Sequence, residues 1–109
     1  MITEFAPTIP EVELEEGSMR GVTVSDVPVL LAKVGGEIFA INDICSHFYT
    51  HLSSGELLVD RIEVQCPLHD SCFSLRTGEP TDEPAEDPVE TYAVKVEGGT
   101  IYVGPNAPA

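Results

Sequence analysis

The sequence is short of basic side chains, has no long apolar run, and holds only three cysteines and three histidines in 109 residues. Each shortage closes a class of function. Five Lys and Arg stand against nineteen Asp and Glu, a formal charge of −14. Nucleic acids and anionic membrane surfaces are polyanions, so this chain is repelled by both and suits a basic partner. The longest near-apolar run, VPVLLAKV at 27–34, falls far short of the roughly 20 residues a membrane span needs. The opening MITEFAPTIPEVELEE has neither a basic n-region nor an apolar h-region, so no secretory signal and a cytoplasmic location are expected. In that reducing compartment three cysteines point to metal or thiol chemistry rather than to a disulfide framework.

What is present reads as all-β, in one domain spanning 1–109. RGVTVSD (20–26), PVLLAKV (28–34), EIFAIND (37–43), RIEVQC (61–66), TYAVKVE (91–97) and TIYVG (100–104) are short β-branched or alternating runs. Gly35-Gly36 and Gly98-Gly99 are two-residue hairpin signals. The segment 76–90, rich in proline and acid, reads as an extended surface connection. A small sandwich or barrel follows, its core drawn from Leu14, Val24, Leu30, Val34, Ile38, Ile41, Ile62, Val64, Val94, Val96, Ile101 and Val103.

All the cysteine and histidine sits in two stretches, ICSHFYTH (44–51) and QCPLHDSCF (65–73), each a loop following a strand. Their pattern is Cys-x-His, then Cys-x-x-His. Thiolate and imidazole are soft or borderline metal ligands. A tetrahedral zinc site uses the same inventory but commonly pairs like with like at each end. One cysteine and one histidine per loop suits a binuclear centre, with both thiolates on one iron and both imidazoles on the other.

At these residues the chain resembles the Rieske proteins. CSHFYTHLSSG and CPLHDSCFSLRTG look like that family's two cluster-binding boxes, with Leu52, Gly55, Pro67, Phe73 and Thr77-Gly78 also matching. The resemblance implies a small iron-sulfur domain of antiparallel sheets, with two cluster-binding loops at one tip, about 44–56 and 65–78. It implies one 2Fe-2S cluster, with Cys45 and Cys66 on the inner iron and His47 and His69 on the outer. Such a tip would dock its partner through Phe48, Tyr49 and Leu68, with Asp70 and the acidic 79–90 segment steering from a distance. Replacing two anionic thiolates by neutral imidazoles raises the potential above that of an all-cysteine ferredoxin.

The departures refine the expectation. High-potential respiratory Rieske proteins place a Ser and a Tyr near the cluster sulfurs and staple the loops with a disulfide. Here the matching positions are Ser71 and Phe73, and Thr50 and Leu68 replace the stapling cysteines. These substitutions point to the low-potential ferredoxins of ring-hydroxylating oxygenases. Asp70 stands where the family usually has Gly, Cys72 reads as a buried non-ligand thiol, and His51 as a solvent-facing loop residue. An oxygenase would need a further mononuclear iron site, and every histidine already lies in the two boxes. The expected function is therefore that of a non-enzymatic, monomeric carrier. It would take single electrons from a flavin-dependent ferredoxin reductase to the terminal oxygenase of an aromatic-ring dioxygenase. The alternatives are the small subunit of an assimilatory nitrite reductase and a zinc-stabilised interaction module.

Overall fold

The computed structural model describes residues 2–46, 49–68, 71–81 and 87–106. Among these the regular structure is antiparallel β with three short 3-10 turns and no α-helix. The strands are β1 (Ala6–Pro10), β2 (Ser18–Val24), β3 (Val27–Val34), β4 (Glu37–Asn42), β5 (Glu56–Leu58), β6 (Glu63–Gln65), β7 (Cys72–Ser74), β8 (Thr91–Glu97) and β9 (Thr100–Pro105). They form a six-stranded sheet in the order β1-β9-β8-β4-β3-β2 and a three-stranded sheet β5-β6-β7.

Turn chemistry builds the large sheet. Its three hairpins close through two residues with positive φ, as a type I′ turn requires: Ser25-Asp26, Gly35-Gly36 and Gly98-Gly99. Glu16, in the acidic run before β2, accepts the amides of Gly35 and Gly36 at 2.6 and 2.7 Å. That carboxylate thus holds a turn as well as adding charge. The prolines of β1 lie on an edge strand, where a missing ladder donor is tolerated and the edge is blunted against further pairing.

Because side chains alternate across a strand, β3 serves two cores. Leu30, Ala32 and Val34 enter one buried cluster, while Val29 and Leu31 enter the other. β4 does the same, with Phe39 and Ile41 on one face and Ala40 on the opposite one. The second cluster is closed by Leu14, Tyr92, Ile101 and Val103, and it takes side chains from both β1 and β2, so the sheet curls its two edges towards each other. Eight of the expected core residues are buried, and Ile38, Ile62 and Val94 are partly buried. Val96 is a correction: it is 40% exposed, because β4 pairs with β8 only at Thr91 and Tyr92 and leaves the far end of β8 without that neighbour, whereas its partner Ile101 lies on β9 between β1 and β8 and is buried.

The first cluster is completed by the small sheet. All of 43–89 is an excursion between two neighbours in the large sheet, since β4 pairs with β8 and the Asn42 amide reaches the Glu90 carbonyl at 2.8 Å. Two glycines let the excursion pack back on itself. A Cβ on Gly55 would lie 1.9 Å from the Gln65 carbonyl oxygen, and one on Gly78 would lie 2.0 Å from that of Val89. Gly78 also has φ +76°, whereas Gly55, at φ −90°, is required by space alone.

Gly55→Ala should therefore cost about 1–3 kcal/mol of folding stability through overpacking. Gly35→Ala, where a Cβ meets nothing within 4 Å, should lose only the left-handed penalty of about 1–2 kcal/mol. Urea midpoints of the two variants check this, and a Gly55→Ala protein as stable as wild type would contradict the close approach.

Candidate metal centre

Two loops carry the cysteines, and they are built alike. In the first, β4 ends at Asn42, whose side-chain oxygen accepts the Ile44 amide at 2.9 Å, an Asx-type turn that redirects the chain. Ile44 then bridges to His51, and inside that bridge the Cys45 amide donates to the Thr50 carbonyl at 3.0 Å. In the second, Gln65 pairs with Cys72, and inside that pair the Cys66 amide donates to the Ser71 carbonyl at 2.9 Å. Each cysteine thus occupies the first position of a closed loop, with its amide on the residue the same number of steps ahead. The second segment enters β7 at Cys72.

Both cysteines are buried, 3% and 2% exposed, and both belong to one apolar cluster with Leu52, Val64, Phe73, Leu75 and Val89. Two cysteines brought into one apolar cluster from separate loops suit a metal with a preference for soft ligands. Ser71 is fully buried, and no buried side-chain nitrogen or oxygen among the described residues lacks a partner. Phe73 is fully buried in the same cluster as the cysteines. Cys72 is buried at the start of β7, as expected of a packing thiol, and the Thr81 amide donates to its carbonyl at 2.8 Å.

Beyond the second loop the chain turns tightly. The Arg76 and Thr77 amides reach the Ser74 hydroxyl, and the Gly78 amide reaches the Ser74 carbonyl. This explains the Thr77-Gly78 pair. Tyr49 and Leu68 stand 86% and 63% exposed. The expected ligands His47 and His69, together with Phe48 and Asp70, lie outside the described residues, as does 82–86 of the acidic segment.

Sequence reasoning missed Asp43. It is 2% exposed, and its carboxylate accepts the Ser53 amide and hydroxyl, each at 2.7 Å, and the His51 ring at 2.9 Å. His51 is exposed, as expected, but held. Asn-Asp before the first box signals a turn, and nothing in the sequence separates a buried aspartate there from a solvated one. Nearby, Asn42 donates to the Tyr92 hydroxyl at 3.2 Å, and burial pushes that phenol above its ordinary range. The electrostatics of the rest are one-sided. All five Lys and Arg are within 4 Å of a glutamate: Arg20 with Glu13, Lys33 with Glu11, Arg61 with Glu63, Arg76 with Glu37 and Lys95 with Glu97.

No helix among the described residues is long and apolar enough to cross a membrane. The Rieske [2Fe-2S] domain model matches residues 4–93. Among curated proteins, the 3-phenylpropionate/cinnamic acid dioxygenase ferredoxin subunit of Shigella flexneri serotype 5b is 45% identical over 94 residues, covering 86% of this chain and 87% of that one. Among solved structures, the ferredoxin of carbazole 1,9a-dioxygenase from Nocardioides aromaticivorans IC177 superposes with a TM-score of 0.89 at 32% identity, over 95% of this chain and 100% of that one. A chain from a complex of reduced oxygenase and oxidized ferredoxin in carbazole 1,9a-dioxygenase matches with a TM-score of 0.86 at 28% identity, over 98% of each. Two equivalently closed loops each bury a cysteine in one apolar cluster, and with the family model matching most of its length the chain belongs to the Rieske [2Fe-2S] domain family.

Proposed function

We propose that this protein carries single electrons from a flavin-dependent ferredoxin reductase to the terminal oxygenase of an aromatic-ring dioxygenase, acting as a cytoplasmic monomer and performing no bond chemistry itself. The observation that carries the reading is the pair of buried cysteines sharing one cluster from two equivalently closed loops. They would hold the inner iron of a 2Fe-2S cluster, and His47 and His69 the outer, within loops of about 44–56 and 65–78. The cluster supplies a one-electron couple whose potential lies in the range of roughly −150 to +300 mV. The chain's part is to bury the thiol side, set the hydrogen bonds around it and present the histidine side to a partner. We read 1–109 as one domain, since β9, beyond the end of the family match, lies between β1 and β8 in the same sheet.

The surface supports transient docking. Tyr49 and Leu68 offer apolar contact at the loops, and an acidic surface whose every basic residue is already paired attracts a basic face. The relatives named above are ferredoxins of dioxygenase systems, which favours this reading over a nitrite reductase subunit or a zinc module.

Cys45→Ser and Cys66→Ser should each abolish the cluster, a hydroxyl being a poor substitute for thiolate, while Cys72→Ser keeps two irons, two labile sulfides and the rhombic EPR signal of the reduced protein. Iron and sulfide assay with EPR decides it, and loss of the cluster in the Cys72 variant would overturn the ligand assignment.

Phe73→Tyr should raise the reduction potential. A hydroxyl reaching a cysteine sulfur stabilises the reduced, more negative cluster, and a net 1 kcal/mol corresponds to about 40 mV for a one-electron couple. Protein-film voltammetry measures it, and an unchanged potential with the spectrum intact would refute the argument.

Electron transfer to the oxygenase, followed by stopped flow, should slow as salt shortens the Debye length from about 10 Å at 0.1 M. It should slow again in Leu68→Ala, which removes apolar contact at the loops. Rates indifferent to both would move the docking face elsewhere.

A further inference from the structure

His51 is an exposed side chain held still by a buried one. A loop imidazole half in water ordinarily keeps its rotamer freedom, because fixing it costs entropy that no burial returns. Here the protein buries the Asp43 carboxylate to fix it, and a buried charge is tolerated only when it is fully hydrogen-bonded. The main chain of Asp43 is tied down as well, its amide to the Pro28 carbonyl at 3.0 Å and its carbonyl to the Leu52 amide at 2.6 Å. β2 leaves room for the arrangement with Gly21, where a Cβ would come 2.8 Å from the Ser53 hydroxyl and 3.1 Å from the Asp43 carboxylate.

The chemistry of the pair decides what His51 shows to solvent. An ionised carboxylate only accepts, so His51 Nδ1 carries the proton that meets Asp43 at 2.9 Å. In the neutral ring Nε2 is then left as an acceptor. The ring stands beside Tyr49, with centroids 6.5 Å apart, at the exposed end of the first loop. The chain's own cations are engaged with glutamates, and its charge of −14 selects a basic partner.

We propose that Asp43 fixes His51 as an outward-facing hydrogen-bond acceptor on the docking face, where it receives an N–H from a lysine or arginine of the partner oxygenase. The inference rests on the carrier reading above. Its functional consequence is orientation: attraction between opposite net charges brings the proteins together, and a directional acceptor selects one rotation of the complex.

Two variants test it by opposite means. His51→Ala removes the acceptor from an exposed position and leaves Asp43 its two bonds from Ser53. Asp43→Asn keeps His51 and reverses it. The Ser53 amide demands an oxygen at the Oδ1 position, so the asparagine NH₂ faces His51 Nδ1 and donates to it, and the proton moves to Nε2. The outward edge then opposes a cation with a donor. The measurement is stopped-flow electron transfer from each reduced holoprotein to the terminal oxygenase of its own dioxygenase system, over a salt series, with each variant's potential and EPR spectrum recorded to correct for driving force. Both variants should lower the second-order rate constant roughly tenfold, the worth of one hydrogen bond to a charged group. His51→Ala should leave the salt slope unchanged, because the acidic side chains that set it are untouched. A wild-type rate in His51→Ala would overturn the proposal, as would a slow His51→Ala beside a fast Asp43→Asn. A wild-type protein that transfers no electron to the oxygenase would sink the carrier reading and this one with it.

Discussion

Two cysteines from segments far apart in sequence are buried in one apolar cluster, and the rest of the structure follows from that requirement. Neither loop could hold its thiol out of water alone. The six-stranded sheet supplies one wall of the cluster through Leu30, Ala32, Phe39 and Ile41, and the three-stranded sheet supplies the other through Val64 and Phe73. The excursion between β4 and β8 exists to bring the second wall over the first. Its small sheet, three residues to a strand, would not be stable by itself.

That dependence explains which backbone positions are constrained. Gly55 and Gly78 bring main chain against main chain on either flank of the cysteine cluster, and no side chain fits at either. The family resemblance carried by these two residues is thus a statement about space. Leu52, the other matching residue of the first box, is fully buried in the cluster itself.

Much of this was legible in the sequence, for physical reasons that differ by residue. The boxes stood out because cysteine and histidine are scarce and occur nowhere else. β2, β3, β4, β8 and β9 stood out because half-buried strands alternate and because Gly-Gly allows positive φ. β5 and β7 did not, being too short to show a period, with β7 lying inside what reads as a ligand loop. β1 was hidden by its prolines, which argue against a strand unless it lies at an edge. Asp43 was hidden because the environment that makes it unusual is assembled from Gly21, His51 and Ser53. Val96 failed in the other direction: its pattern is that of a core residue, but it lies on β8 beyond the two residues that pair with β4.

The pairing of every lysine and arginine with a glutamate also bears on how the protein meets itself. With every lysine and arginine already beside a glutamate, one copy has little to set against the acidic face of another, so two copies approaching each other meet like charge from most directions. Exchange of an electron between two carriers is the idle reaction of any such pool, since it moves charge without delivering it. A surface of this kind slows that exchange, so an electron taken up by one copy stays on it until a basic partner arrives.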